Sequence, residues 1–177
     1  MFYDMNFPRP AYNPSGPAPF NSQAYTQNTE MYNAYVYPQN LPTALQLIQD
    51  AVEGETEDRL FYSYLINTAP TEEEKRIITG IRDDEIKHFS LFRQIYFELT
   101  GQVLAPPANA SFQQPATYCD GLKRALLGEQ NAVGKYRKIL FAMQDRRIIN
   151  IMVEIITDEI RHGSLYNYLY SKNGCNV

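Results

Sequence analysis

The sequence predicts an all-α protein, an antiparallel four-helix bundle with one long crossover connection that is preceded by an extended arm. Three observations support this prediction. Apolar residues recur at spacings of three and four through most of the chain, no β-hairpin signal competes with them, and prolines set the first 40 residues apart. At 177 residues, the chain has the length of one ordinary domain plus a tail.

The arm, residues 1–40, differs in composition from the rest of the chain. It holds six of the eleven prolines and six of the fourteen tyrosines, with only three charged residues. Prolines at this density exclude a helix or a central strand, so we expect an extended or disordered segment. Two interpretations stay open for it, an interaction arm that orders on a neighbouring chain and a mobile tail without a role.

The first two helices are predicted from residues 41–101. Pro42 suits the first turn of helix 1, and Thr71 with Glu74 forms a capping box for helix 2, which stops at Gly101. The apolar stripe of helix 1 comprises Leu45, Ile48, Val52, Tyr62 and Ile66. The stripe of helix 2 comprises Ile77, Ile81, Phe92, Ile95 and Leu99.

The last two helices follow a proline-rich loop over residues 101–116. Thr117 opens the third helix, which runs to about Met143, and Asp145 is a suitable N-cap for a fourth that runs to about Lys172. Short links within each pair make antiparallel neighbours, whereas the long link between helices 2 and 3 allows a crossover along the bundle. Residues 41–177 are therefore expected to form one bundle domain.

The two helical pairs repeat each other at an offset of 74 residues. The matches fall mainly on polar residues, where a shared apolar pattern would not place them. Gly54-Glu55 aligns with Gly128-Glu129, Tyr62 with Tyr136, and segment 84–88 with segment 158–162. This pattern indicates a duplicated helical hairpin and a bundle with a pseudo-twofold axis.

Six of the matched polar residues interrupt the apolar stripes and are candidate metal ligands. They are Glu55, Glu85, His88, Glu129, Glu159 and His162. Both histidines of the chain occur in Glu-x-x-His, and this spacing puts the two side chains on one helix face. Four carboxylates inside one bundle would repel and would be costly to desolvate, and two divalent cations balance their charge. Oxygen and imidazole ligands suit iron or manganese and also admit zinc. The alternative is that buried Glu–His pairs join the helices without metal.

Four further polar residues lie where they can support these ligands. Tyr62 and Tyr136 each follow the lone glutamate of their own half by two turns, and each is predicted to hydrogen-bond the carboxylate of the other half. Core packing is the alternative for both tyrosines. Asp84 and Asp158 precede the second glutamates and are predicted to accept the second ring N–H of a ligating histidine, across the bundle or within their own helix.

These motifs resemble those of rubrerythrins, within the ferritin-like superfamily, over about residues 41–172. The resemblance rests on segment 54–59 followed by Tyr62, together with segments 84–88, 128–129 and 158–162. Ferritin-like di-iron bundles take one Glu from each of two helices and one Glu-x-x-His from each of the others. The resemblance implies a ferritin-like fold and two non-haem iron ions that reduce hydrogen peroxide or oxygen.

The same resemblance implies a role for each ligand. Glu85 and Glu159 would bridge the two metals. Glu55 with His88, and Glu129 with His162, would supply the terminal ligands, although this pairing could be crossed.

Two departures from the rubrerythrin pattern affect the expected mechanism. The chain has no cysteines for the cysteine-ligated iron domain that usually delivers electrons, so a separate electron-donor protein is expected. Ala132 stands where rubrerythrins usually place a second Glu on helix 3, which exchanges with a histidine as the irons change oxidation state. The Tyr-rich arm, in turn, resembles in composition the ends of bacterial spore coat proteins.

Two functions remain open from the sequence. The first is a di-iron peroxidase or ferroxidase that protects against oxidative stress, with manganese catalase chemistry as a variant. The second is a metal-stabilised structural protein of a bacterial spore layer without significant turnover. A homodimer is expected, because long apolar helices and a Tyr-rich arm offer surface for one.

Composition excludes other classes of protein. The net charge of −4 argues against a nucleic-acid binder, and no apolar run reaches the ~20 residues of a membrane span. Met1–Pro10 lacks the pattern of a secretory signal. Cys119 and Cys175 lie far apart and form no C-x-x-C pair, so we expect no disulfide framework and a reducing setting, the cytoplasm or a forming spore or its coat.

Overall fold

The computed structural model describes residues 32–105 and 112–175, and within these ranges it contains four long α-helices and no strand. The helices are α1 (Leu41–Thr68), α2 (Glu72–Thr100), α3 (Tyr118–Phe141) and α4 (Arg146–Lys172). The predicted all-α four-helix bundle is thereby confirmed. None of these helices is long and apolar enough to cross a membrane.

Three of the helices begin with the side-chain N-caps that the sequence predicts. The side chains of Thr71, Thr117 and Asp145 each accept a hydrogen bond from a backbone amide of the first turn that follows. Such caps satisfy donors that have no partner within the helix. Gly101 ends α2 with a φ of 73°, the left-handed conformation that glycine adopts without strain.

The ends of the helices define the crossover topology. Glu74, in the first turn of α2, accepts hydrogen bonds from the Tyr118 hydroxyl at 2.9 Å and from the Asn173 side-chain amide at 3.0 Å. The beginnings of α2 and α3 and the end of α4 therefore lie at the same end of the bundle. The end of α2 and the beginning of α3 therefore lie at opposite ends of the bundle, as a crossover topology requires. Helix α1 packs on α2 and α3, and α4 packs on the same two helices.

The described end of the N-terminal arm contacts the bundle of its own chain. Asn40 is buried and donates a hydrogen bond to the backbone carbonyl of Phe141 at 2.9 Å. The Tyr35 and Phe141 rings pack with their centroids 4.8 Å apart. Residues 1–31, most of the predicted arm, lie outside the described residues.

The apolar core is divided into two clusters, each built from all four helices. One contains Ile48, Phe92, Ile139 and Met152. The other contains Leu65, Ile81, Leu122 and Leu169. In every helix the residues between the two clusters include the acidic positions that the sequence singled out. The bundle therefore holds a polar layer between two apolar ones.

The prediction about the cysteines is wrong. Cys119, at the start of α3, forms a disulfide with Cys175, just after α4, and their Cα atoms are 5.6 Å apart. Antiparallel packing of α3 on α4 brings together two residues that are 56 positions apart in the sequence. A search for closely spaced cysteine pairs could not detect this contact. The expectation of a reducing setting therefore loses the support it took from the cysteines.

Candidate metal centre

All six candidate ligands lie in the polar layer, and all are buried, with exposed fractions of 8% or less. Helices α1 and α3 each supply one glutamate, whereas α2 and α4 each supply a Glu-x-x-His pair. The residues are Glu55 from α1, Glu85 and His88 from α2, Glu129 from α3, and Glu159 and His162 from α4. Burial of so many ionisable groups is costly unless something pairs with them.

Four of the six residues converge most closely. One ligand atom from each of Glu85, Glu129, Glu159 and His162 lies within 4.8 Å of the others. Three helices contribute to this group, so the packing of the bundle, rather than any local loop, sets its geometry. The arrangement is compatible with a divalent cation.

Both histidine rings direct Nδ1 towards glutamates of the layer. The Nδ1 atom of His162 lies 3.0 Å from Glu85 Oε1 and 3.7 Å from Glu129 Oε2. The Nδ1 atom of His88 lies 3.1 Å from Glu159 Oε1 and 3.6 Å from Glu85 Oε2. Each histidine therefore contacts the glutamate of the other half's Glu-x-x-His pair, as a pseudo-twofold arrangement requires.

The second ring nitrogen of each histidine contacts an aspartate across the bundle. His88 Nε2 lies 3.2 Å from Asp158 Oδ2, and His162 Nε2 lies 3.1 Å from Asp84 Oδ2. Arg161 donates hydrogen bonds of 2.8 Å to both aspartates. An aspartate in this position fixes the ring orientation and leaves Nδ1 available as a metal ligand. That these aspartates orient metal-bound histidines remains a prediction.

Two buried atoms of the layer lack a hydrogen-bond partner. The Nδ1 atom of His88 and the Oε1 atom of Glu159 face each other at 3.1 Å but without hydrogen-bonding geometry. Leaving buried polar atoms unsatisfied costs free energy, and a bound cation would satisfy both. The residues present thus fit metal ions that prefer oxygen and imidazole ligands, which include iron, manganese and zinc.

Without a bound cation, protons would carry the balancing charge of the layer. Burial opposes protonation of His88, but Glu159 and Glu85 raise its pKa to about 10. Burial likewise opposes protonation of His162, but Glu129 and Glu85 raise its pKa to about 10. Burial and the nearby Glu85 and Glu129 raise the pKa of Glu159 to about 9. Burial also disfavours ionisation of Glu85, but the neighbouring His162 and His88 lower its pKa overall.

Glu55 is buried in the layer but does not join the group of four. Its Oε2 atom pairs with the guanidinium group of Arg93, and its Oε1 atom lies 4.0 Å from Arg59. Glu129, its counterpart in the repeat, faces His162 instead. A role for Glu55 as a ligand therefore remains a prediction.

A cavity of about 330 Å³ between α1 and α3 reaches the polar layer. Glu85, Glu129 and Glu159 line it, as do the rings of Tyr62 and Tyr136. Burial and these nearby carboxylates raise the pKa of both tyrosines well above the ordinary value. Within the described residues, neither hydroxyl donates a hydrogen bond to a cluster carboxylate. The predicted tyrosine–carboxylate hydrogen bonds are therefore not seen in this arrangement.

Asp58 is a cavity residue that sequence reasoning missed. Its carboxylate lines the cavity with Glu85, and burial together with that neighbouring charge raises its pKa to about 7. The repeat could not reveal it, because its counterpart is Ala132. The available signal was its spacing of three residues after Glu55, which puts both side chains on one face of α1.

A crossover bundle with a buried layer of carboxylates and histidines defines the class of protein, a ferritin-like bundle with a candidate metal centre. The sequence model of the Rubrerythrin family matches residues 46–170, and the chain belongs to this family.

Two similar proteins extend this comparison. The uncharacterized protein YhjR of Bacillus subtilis (strain 168) is 26% identical over 140 residues, which cover 77% of this chain and 95% of that protein. A hypothetical protein from Pyrococcus furiosus superposes with a TM-score of 0.61 at 20% identity, covering 72% of this chain and 88% of its own. This structural similarity supports the fold.

Proposed function

We propose that the protein is a di-iron oxidoreductase that reduces hydrogen peroxide or oxygen and so protects against oxidative stress. The observation that carries this proposal is the buried layer, in which His88 Nδ1 and Glu159 Oε1 face each other without partners. Membership of the rubrerythrin family supports iron as the metal. When bound, two ferrous ions supply one electron each to peroxide, which takes up two protons and yields two water molecules.

Residues of the polar layer would hold and orient such a pair of ions. Glu85 and Glu159 lie between the two histidines and are suited to bridge the metals. His88 and His162 offer Nδ1, while aspartates on the opposite helix keep the other ring nitrogen occupied. Glu129 would be a further ligand of the metal position beside His162. Fixing the ligands in this way limits reorganisation during the reaction.

The cavity gives a small oxidant access to the layer. Its wall includes Ala51, Gly54, Gly128 and Ala132, whose small side chains leave space between α1 and α3. Asp58, with a pKa raised to about 7 by burial and Glu85, can hold and release a proton near neutral pH. It is therefore suited to supply a proton to peroxide in the cavity.

Electrons for repeated turnover are proposed to come from a separate protein. Both cysteines are paired with each other, so neither is a free thiolate ligand for an iron centre. We also propose that the protein forms a homodimer. Its proposed location is the cytoplasm, or a forming spore or its coat. Exposed apolar side chains on α2 and α4 support a dimer, and they include Ile86, Phe97, Val153 and Ile160.

A second candidate function is a metal-stabilised structural protein of a spore layer. The Cys119–Cys175 disulfide favours it, because a cross-link between α3 and the end of the chain suits a durable scaffold. The absence of the exchanging carboxylate at Ala132 is a further argument in its favour.

Stopped-flow mixing distinguishes the two functions. Metal-free protein is loaded anaerobically with ferrous iron and mixed with peroxide or with oxygen, and the absorbance of the ferric product is followed. We expect faster oxidation by peroxide, with sustained turnover only when a reductant is added. Oxygen reacting as fast as peroxide would indicate a ferroxidase, and no oxidation by either would favour the structural function.

A further inference from the structure

The two halves of the metal centre are not equivalent, although the repeat relates them. Glu129 Oε2 lies 3.7 Å from His162 Nδ1, within the group of four converging residues. Glu55, its counterpart, is held in an ion pair with Arg93 and contributes no atom to that group. One half of the centre is therefore formed in this structure, whereas the other half is not.

A contact with Arg93 distinguishes Glu55 from Glu129. Arg93 follows His88 by five residues on α2, and its guanidinium group contacts Glu55 Oε2. Only 25% of its side chain is exposed, and its Nε atom is buried without a hydrogen-bond partner. Its counterpart in the repeat is Asn167, which is exposed and carries no charge. The position equivalent to Arg93 therefore provides no cation that could hold Glu129 away from His162.

We propose that Arg93 competes with metal for the Glu55 carboxylate, so that the two metal positions fill unequally. The position beside Glu129 and His162 fills first, and the position beside Glu55 and His88 fills second. This inference rests on the proposed di-metal site. Arg93 acts through Glu55 and is a positioning residue.

The strength of the competition follows from burial and charge. An arginine stays protonated at any accessible pH, so the pair must be broken before Glu55 can bind a cation. Breaking a partly buried pair is costly, because the guanidinium group then needs another partner. Arg59 is 61% exposed and 4.0 Å from Glu55, so water and salt screen its interaction. Arg93 should therefore affect metal binding, whereas Arg59 should not.

An equilibrium titration with Mn²⁺ tests the proposal without depending on activity. Metal-free full-length protein is titrated, and free Mn²⁺ is measured from its electron paramagnetic resonance signal. We expect two steps, with the second dissociation constant about tenfold or more above the first. In Arg93→Gln, the second dissociation constant should fall by about tenfold, while the first should be unchanged. Arg59→Gln is the matched control and should leave both steps as they are.

The comparison of Arg93→Gln with the wild type is decisive. Repulsion between the two bound cations weakens binding of the second Mn²⁺ in every variant, so the wild-type titration alone would not test the role of Arg93. An unchanged second step in folded Arg93→Gln would overturn the proposal and leave the di-metal site intact. Failure of the wild-type protein to bind Mn²⁺ would contradict both. Should Arg93→Gln not fold, Glu55→Gln tests the filling order. It should abolish only the second step, and loss of the first step would overturn the order.

Discussion

At the scale of single residues, each histidine of the layer has acidic side chains next to both ring nitrogens. Glutamates face Nδ1 and an aspartate faces Nε2, so acceptors surround the ring. Such surroundings stabilise the protonated imidazole, whereas a metal needs the neutral ring. Metal and proton therefore compete for the same atoms.

This competition predicts that metal binding releases protons. With pKa values raised to about 10 by their glutamate neighbours, His88 and His162 are both protonated at pH 7 in the metal-free protein. Each should lose one proton when metal binds, as should Glu159, whose pKa burial and Glu85 raise to about 9, so the affinity for metal should rise with pH. Isothermal titration calorimetry with Mn²⁺ in two buffers of different ionisation enthalpy measures the release. Identical heats in both buffers would contradict it.

The raised pKa of Asp58 leads to a second prediction, that the stability of the protein depends on pH. Because burial and Glu85 raise its folded pKa to about 7, it contributes stability that is present below its ordinary pKa of 3.8 and is lost as pH rises through about 7. Metal-free Asp58→Asn should therefore be more stable than the wild type at pH 8 and should differ little from it at pH 4. Urea unfolding at both values measures this.

Asp83→Asn is the control for Asp58→Asn. Its carboxylate is exposed on α2 and is paired with the adjacent Arg82, so its removal should change little at either pH. If the stability of both variants changed equally with pH, the assignment of this pH effect to Asp58 would be contradicted.

At the residue level, the repeat predicted which polar residues would be buried together, while their roles as metal ligands remain predictions. The six candidate ligands are buried together because matched polar residues on apolar stripes must share an interior layer. The pairing of Glu55 with Arg93 could not be predicted, because it depends on a side-chain conformation between two helices. Asp58 was missed because its counterpart, Ala132, is not acidic.

At the scale of helices, caps and close packing decide where each element lies. Gly121, in the first turn of α3, faces the neighbouring helix so closely that an added Cβ would lie 2.6 Å from Leu65 Cδ2. Leu65 is fully buried in the apolar core and cannot move aside freely. The glycine therefore allows α1 and α3 to approach this closely.

Gly121→Ala is expected to lower the free energy of unfolding by about 1–3 kcal/mol, because the new methyl group overpacks this contact. Gly134→Ala, on the same helix, is the matched control. A Cβ there meets nothing within 4 Å, so the higher helix propensity of alanine should stabilise the protein by about 0.5–1 kcal/mol. Denaturant unfolding measures both changes. The same sign in both variants would contradict this account of Gly121.

The helices themselves were largely predictable from local signals. Thr71, Thr117 and Asp145 cap the helices that they were expected to cap, because short polar side chains satisfy free backbone amides wherever a helix begins. Helix α3 ends at Phe141, two residues before the predicted end at about Met143. Such ends depend on packing at the α3–α4 link.

At the scale of the whole molecule, the topology followed from the lengths of the connections. Two short links and one long one leave few ways to arrange four helices, and the crossover is among them. The disulfide could not be predicted from spacing, because the contact between Cys119 and Cys175 exists only in the folded bundle. Tertiary contacts of this kind have no local signature.

The disulfide predicts a measurable contribution to global stability. It closes a long loop, so its loss should enlarge the conformational freedom of the unfolded chain and lower the free energy of unfolding by about 2–4 kcal/mol. Denaturant unfolding of Cys119→Ser and of the wild type with and without reductant measures this. Two titratable thiols in the unreduced folded protein, with no effect of reductant, would contradict the cross-link.

The central claim is that the polar layer between the two apolar clusters binds a pair of metal ions. Anomalous diffraction from crystals loaded anaerobically with ferrous iron tests it most directly. The account predicts two iron peaks inside the layer, one beside Glu129 and His162 and the other beside Glu55 and His88, bridged by Glu85 and Glu159. Fully loaded crystals with iron only on the surface, or with no iron among these residues, would contradict it.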